Sequence, residues 1–340
     1  MKRLCIFVLM GFTLVFWGCQ SSSETVTKKR VIKLSHSHQA DFDSELHMTA
    51  WIFQKWVEDH SDNLEVKIYA SNALGQEREV YEAIQLGAGA DCIISGTAIL
   101  NNFSERIGVL DLSFLWQDFD HVHRVLDGEV GTILANELEQ QGFKVLAWCD
   151  SWGYRNVVTA DKEISRASDL AGLKIRTIQT PFNIAALNAM GVNATPMAFG
   201  EVYTSMQTGV LDGFEHNATV IKANKFYEVG KYMALTRHLF GPVAFVFSLK
   251  QWEQFSPQEQ QILQQAATMA RDVQRALAPL REREAIDFLK EQGMIIHKID
   301  RTAFLENAVQ VQNQLASERN AKDLLEKIRA AAVFDESEGL

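Results

Sequence analysis

The chain has 340 residues, 47% hydrophobic and 22% charged, enough for one large or two ordinary domains with substantial cores. Forty-three acidic residues against 33 basic give a net charge of −10, which excludes an overall electrostatic footprint for nucleic acid and a polybasic patch for an anionic lipid surface. Five prolines, 20 glycines and four cysteines exclude collagen-like, proline-rich and disulfide-scaffold chains, and no repeat of solenoid length is visible.

In chain order, Lys2 and Arg3 precede an apolar run over residues 4–17, followed by Gly18, Cys19 and a serine-rich stretch. This is a basic region and an apolar region of export-signal length, too short for a spanning helix. The Gly-Cys step resembles a bacterial lipoprotein signal, although Phe16 and Trp17 are bulkier than that motif usually carries. The expectation is a signal over residues 1–19, with Cys19 as the lipidated first mature residue, and a polar tether over 20–29; plain secretion is the alternative. Without Lys2 and Arg3 the mature chain carries 31 positive and 43 negative side chains. Cys92 and Cys149 lie in apolar, strand-like runs and read as small buried hydrophobes. Export permits a disulfide between them, but nothing in the spacing requires one.

Residues 31–34 form a short β-like run that ends in the polar cluster Ser35, His36, Ser37 and His38. Leu46, Ala50, Phe53 and Val57 then share one helical face. Strand, helix and strand follow over 64–69, 77–86 and 90–95, so the alternation predicts a mostly parallel sheet with helices on its faces. Residues 143–148 start another strand. The pattern restarts with strands near 173–176 and 194–197 and helices over 182–190 and 201–208, which predicts a second α/β unit. Ser256, Pro257 and Glu259 form a capping box with proline in the first turn. The helix they start should run to about Glu291, kinked at Pro279, long enough to belong to both units. Two such units imply a cleft. In open sheets ligands bind beyond the carboxyl ends of strands, which singles out Ser35–His38, Ser95, Thr97, Arg155, Arg176, Phe199, Glu215, His216 and Asn217.

The chain has no phosphate loop, GxGxxG, GxSxG elbow or HExxH zinc motif. No nucleophile–base constellation marks it as an enzyme, and no cofactor is implied. His36/His38 and His121/His123 are H-x-H pairs, but neither has further ligands in view, so solvated or hydrogen-bonding histidines are the reading and no metal is expected. Arg155 and Arg176, at the ends of apolar strands, suit a carboxylate gripped by the planar fork; for each alone, a structural ion pair is an equal alternative.

A series of motifs in order resembles the extracytoplasmic solute receptors of tripartite ATP-independent periplasmic (TRAP) transporters, the DctP-type family. They are NALGQE (72–77), IGVLDLSFLW (107–116), DLAGLKIR (169–176), GVNATPMAF (191–199), GEVY (200–203), QTGVLDGFE (207–215) and SPQE (256–259), spanning roughly residues 30–335. The resemblance implies a two-lobed α/β periplasmic-binding-protein fold, type II-like, with crossing strands and a long helix bracing both lobes. Lobe I is expected over 30–152 plus about 241–280, and lobe II over 153–240 plus about 281–335. It further implies a periplasmic or cell-surface receptor that closes on a small organic acid and delivers it to a membrane permease, touching the membrane through a lipid anchor only. Arg176 matches the arginine that pairs with the ligand carboxylate, Arg155 a second arginine, and Phe199 an aromatic lining the pocket. His216 stands where many members carry an asparagine, so Asn217 could serve instead, and Gly96 stands where sialic-acid-binding relatives carry an acid. The hydroxyls and imidazoles of Ser95, Thr97, His36, His38 and His216 favour a sugar acid such as a uronate or aldonate. A C4-dicarboxylate, a keto acid, or a role as receptor for a sensor kinase is the alternative. If His216 reads the ligand, affinity should rise as pH falls through about 6.5.

Overall fold

A computed structural model describes residues 29–332; the leader and Cys19 lie outside them. Eleven strands build two sheets. Strands β1 (Arg30–Ser35), β2 (Leu64–Tyr69), β3 (Cys92–Gly96) and β4 (Phe143–Cys149) belong to the first sheet. Strands β5 (Tyr154–Thr159), β6 (Lys174–Thr177), β7 (Asn193–Pro196), β8 (Gly213–His216) and β9 (Tyr232–Phe240) belong to the second. The chain then returns to the first sheet as β10 (Val243–Ser248) and ends the second with β11 (Ile295–His297). The strand orders are β2-β1-β3-β10-β4 and β11-β9-β5-β8-β6-β7.

The parallel sheet predicted from the alternation is present where helices connect the strands: β1 pairs parallel with β2 and β3, and β6 with β7 and β8. It fails where the chain passes between sheets. The four-residue link 150–153 and the two-residue link 241–242 carry the chain from one sheet to the other, and β5 and β10 each run antiparallel to both of their neighbours.

The helix Pro257–Glu291 has 35 residues, the Ser256/Glu259 capping box at its start and Pro257 in its first turn, and it continues through Pro279. At about 1.5 Å per residue it is about 50 Å long. Leu263, Ala266, Ala267 and Ala270 pack into the core of the first sheet with Phe53, Phe245 and Phe247. Ala285 and Leu289 pack into the core of the second with Phe214, Ile221 and Met233. Its small residues let one helix lie close to both. The last helix, Lys322–Ala330, does not stay with the second sheet as the expected division had it. Leu324, Leu325 and Ile328 join the apolar cluster of Val122, Val130 and Leu134 on the first sheet's side, and Arg106 reaches Asp323 at 2.6 Å. Cys92 and Cys149 are buried and unpaired. No helix of the described residues is long and apolar enough to cross a membrane.

Candidate ligand site

Between the sheets lies a narrow cleft with a cavity volume of about 30 Å³. Gln76, Glu77 and Ile99 line it from the first sheet's side, Arg155, Arg176, Phe199 and His216 from the second's, and Trp152 from the link between β4 and β5. Four of the residues singled out in the sequence are thus brought together.

The two arginines separate in role. Register places Val157 opposite Glu215, so Arg155, two residues along the same face of β5, is the diagonal neighbour of that carboxylate. Its Nε donates to Glu215 Oε2, and Nη2 donates to Oε1 at 2.8 Å and to the Glu215 carbonyl at 2.9 Å. Thr177 Oγ1 donates to Oε1 at 3.3 Å. The backbone N–H of Val157 donates to Thr236 Oγ1, whose hydroxyl donates to His238 Nδ1 at 2.8 Å. His238 Nε2 lies 3.6 Å from Glu215 Oε2. Burial alone would raise the Glu215 carboxyl, but the guanidinium and the imidazole outweigh it and hold the group down at about 2. For Arg155, then, the structural ion pair is realised, and Glu215 is its buried counter-ion.

Arg176 is different. It is 4% exposed, its Nε and Nη2 donate to the carbonyl of Met197 at 2.9 and 2.5 Å, and it forms no ion pair with any described residue. Burial, together with Arg155, lowers its pKa to about 10, although the carboxylates of Glu215, Glu77 and Glu201 pull the other way. Nη1 takes no partner among the described residues. An enclosed cation lacking a counter-ion is costly unless an anion arrives.

His216 sits beside Arg155. Its Nδ1 lies 2.9 Å from the backbone N–H of Asn217 and 3.3 Å from Asn217 Oδ1, and its Nε2 lies 3.5 Å from Arg155 Nη1. The ring does not titrate near 6.5 as expected. Burial, Arg155, His38 and Arg176 all drive it well below that value, so it stays neutral. A further N–H in the cleft, Trp152 Nε1, is buried and has no partner among the described residues; nothing in its spacing marks it in the sequence.

The other expected residues stand around the cleft as its frame. Asn217 caps the helix Ala218–Ala223, with Oδ1 accepting from Val220 N at 3.0 Å and Nδ2 donating to Ser151 O at 3.1 Å. Thr97 Oγ1 donates to Pro242 O, and His36 Nε2 lies 3.1 Å from His47 Nδ1. His38 packs against Phe199, ring centroids 5.7 Å apart, its Nε2 buried and unpartnered among the described residues. Burial takes both His36 and His38 down to about 3. Ser95 Oγ donates to Glu77 Oε1 at 2.5 Å, joined there by Ser37 Oγ at 3.1 Å. Glu77 was missed as a site residue. Glu77 and Glu79 share the first turn of one helix, and only the fold reveals that Glu79 caps Gln76 while Glu77 turns inward. Gly96 is fixed by Trp152: a Cβ there would stand 2.0 Å from the indole ring.

The remaining H-x-H pair does not converge. His121 Nε2 faces Ile328 O at 2.8 Å and His123 Nε2 faces Asp150 Oδ2 at 2.5 Å. Among the described residues no group of three or more His, Cys, Asp or Glu could hold a metal ion.

Two sheet-based lobes facing a cation-lined cleft define a solute receptor of the two-lobed kind. Residues 36–319 match the bacterial extracellular solute-binding protein family 7, DctP, and the chain belongs to that family, which comprises the receptors of TRAP transporters and is one of binding proteins, not enzymes. The 2,3-diketo-L-gulonate-binding periplasmic protein YiaO of Escherichia coli K12 is 35% identical over 260 residues, 76% of this chain and 79% of that protein. The TRAP periplasmic solute-binding protein of Polaromonas sp. JS666 bound to D-erythronate superposes with a TM-score of 0.85 at 30% identity, covering 90% of this chain and all of that one. The sugar acid binding protein DctPAm of Advenella mimigardefordensis DPN7T in complex with galactonate also has a TM-score of 0.85, at 27% identity, with 90% and 99% covered.

Proposed function

We propose that this receptor takes a sugar acid, an aldonate or uronate, with the carboxylate held on Arg176, and passes it to a TRAP permease. The observation that carries this is the buried guanidinium of Arg176 with a free Nη1 and no ion pair among the described residues. Beside it the His216 ring, Nη1 of Arg155 and the indole of Trp152 offer polar partners for an anionic group and its neighbouring oxygens. The similar proteins named for 2,3-diketo-L-gulonate, D-erythronate and galactonate support the ligand class. Hydrogen bonds to a charged group contribute about 1.5–3 kcal/mol each. Two from Arg176 and a few polar contacts to hydroxyls reach the roughly −8 kcal/mol of a micromolar complex.

The ligand would enter with the lobes apart and be enclosed when they swing together about the links at 150–153 and 241–242 and the long helix. Cys19, lipidated, would keep the receptor at the membrane; Cys19→Ser should release it to the soluble fraction. The experiment for the ligand is a thermal-shift and calorimetry series with galactonate, galacturonate, glucuronate and erythronate, with succinate and pyruvate as controls. A sugar acid at 100 times its Kd should add about 2.7 kcal/mol of stability. Binding of succinate or pyruvate alone would overturn the reading.

A further inference from the structure

A second concavity shares no lining residue with the cleft and is wider, with a cavity volume of about 530 Å³. Three cations stand in its wall, Arg237, Lys298 and Arg301, and no acid, in a chain whose net charge is −10. Arg237 is put there by a bulge. Arg155 pairs with Leu239 and Val157 with Ala234, so four residues of β9 face Asn156 alone. Thr236 and His238 are fully buried, and Arg237 between them turns outward. Its backbone is left-handed, φ +43°, held by its N–H donating to Asn156 Oδ1 at 3.1 Å. That conformation is strained in a residue with a Cβ, and such strain gathers at functional positions. The guanidinium lies over the Tyr154 ring, 3.7 Å from its centroid. Stacking engages its face and leaves its N–H edges for an anion. Its one ion pair among the described residues, with Glu282 Oε1 at 3.9 Å, is beyond hydrogen-bond reach.

The side chains of Lys298 and Arg301 bond to no described residue. Asp300, between them in the chain, is engaged elsewhere, its Oδ1 accepting from the N–H and Oγ1 of Thr302 at 2.9 and 2.7 Å. Arg301 is the N-cap of the helix Thr302–Glu318, whose first turn carries no acid. The start of a helix is its positive end, where acids are favourable and cations are not. Three cations beside such an end break the local rule, and Asp300 with the more distant Glu282 leaves the wall positive. We propose that this concavity is a second binding site, for an organic polycarboxylate. Its acid groups would lie on Arg237, Arg301 and Lys298, and its carbon body against Phe114, Trp116 and Leu305, which line the same space. The planar forks of two arginines suit carboxylates bidentately. Three acid groups match three cations, whereas a single carboxylate leaves two of them unmatched. The apolar part of the wall and the size of the space select an organic body over an inorganic ion. The cleft, with one enclosed arginine free for one carboxylate, is a different kind of site, and this inference does not depend on which acid the cleft takes.

The test is calorimetry on the full mature chain at low ionic strength, where exposed charges are least screened. Citrate and tricarballylate are the probes, with acetate and inorganic phosphate as controls. Both tricarboxylates should bind, and both controls should bind at least about tenfold more weakly. The double variant Lys298→Gln/Arg301→Gln removes two charges whose side chains bond to no described residue, so the fold should be kept. It should weaken citrate by at least about tenfold, and Arg237→Gln should do the same. Arg176→Ala, which takes the free cation from the cleft, should leave the citrate affinity at this site unchanged. If that variant fails to fold by circular dichroism, the double variant alone decides. A wild-type protein that does not bind citrate overturns the proposal. So does a double variant that binds citrate as the wild type does, or a folded Arg176→Ala variant that no longer binds it. Phosphate bound as tightly as citrate overturns it too, because charge alone would then account for the binding.

Discussion

Two arginines of one cleft, chemically identical, should respond in opposite ways to the same truncation. Arg155 is the principal partner of Glu215, with the His238 imidazole 3.6 Å away, so Arg155→Ala leaves a fully buried carboxylate without its guanidinium. Breaking such a pair costs about 3–5 kcal/mol, and the melting temperature of the ligand-free protein should fall by many degrees. Arg176 has no counter-ion to strand. Arg176→Ala should abolish ligand binding in calorimetry while leaving the ligand-free melting temperature unchanged or higher, because a desolvated charge with no ion pair among the described residues is removed. Arg176→Lys should restore binding only in part, since an ammonium cannot form the fork. Equal stability losses in the two alanine variants would contradict this division. His216 makes a second prediction. Its ring is neutral in the fold, so ligand affinity should be flat between pH 5.5 and 7.5. Stability, by contrast, should decline on acidification. His36, His38 and His216 have pKa values depressed below the 6.5 of an unfolded chain, so below that pH the unfolded state binds protons that the fold refuses. Their contribution is complete above about 6.5 and is lost as pH falls. His216→Asn, if folded, should show a shallower acid decline in urea denaturation than the parent.

At the scale of elements, the helix Glu45–His60, the long helix and the link after β4 are tied by one buried chain of polar groups. Glu45 Oε2 accepts from Gln274 Nε2 at 2.7 Å, and Gln274 Oε1 accepts from the backbone N–H of Asp150 at 2.8 Å. Glu45 sits in the first turn of its helix, where a carboxylate would ordinarily favour the exposed N–H groups. Here it is enclosed, and burial raises it to about 8. An acid raised in the fold holds its proton after the unfolded chain has lost it, near 4.5. Its contribution to stability is therefore present at low pH and lost as pH rises toward 8, by up to about 1.4 kcal/mol per pH unit. Glu45→Gln, which mimics the protonated acid and keeps the bond from Gln274, should flatten the fall in stability between pH 5 and 8. A fall as steep as the wild type's would show that Glu45 is ionised in the fold. Because Asp150 is the first residue of the link between β4 and β5, the same chain of bonds fixes where that link starts.

The described residues form two sheets held by two short links, the long helix and the return of the last helix to the first sheet's side. On the cleft's outer side Lys222 Nζ meets Asp43 Oδ1 at 2.9 Å, and Arg281 Nη1 donates to Phe42 O at 2.8 Å. Both contacts join elements of different sheets, and Phe199 packs at once on His38 of the first sheet and His216 of the second. Small-angle scattering should show a smaller radius of gyration with ligand than without. Asp43→Ala should reduce affinity by no more than about fivefold, since a partly exposed pair contributes about 0–1 kcal/mol. An unchanged radius on saturation with a bound ligand would mean that the molecule does not open and close.

The sequence by itself determined the two α/β units, the long capped helix and the family. Each rests on local signals: apolar spacing, a capping box at Ser256 and Glu259, and motifs whose order survives in a single chain. It also located the cleft, because strand ends are local features, and it brought Arg155, Arg176, Phe199 and His216 into consideration. Tertiary structure decided what each of these groups faces. That Glu215 neutralises Arg155 and leaves Arg176 unpaired follows from β5 running antiparallel to β8, residues some 60 positions apart, and no spacing in the sequence encodes that register. The inward turn of Glu77, the depressed pKa of His216 and the reversed strands β5 and β10 belong to the same class. Ionisation, pairing and strand direction depend on neighbours that are remote in the chain, and only the folded molecule brings those neighbours together.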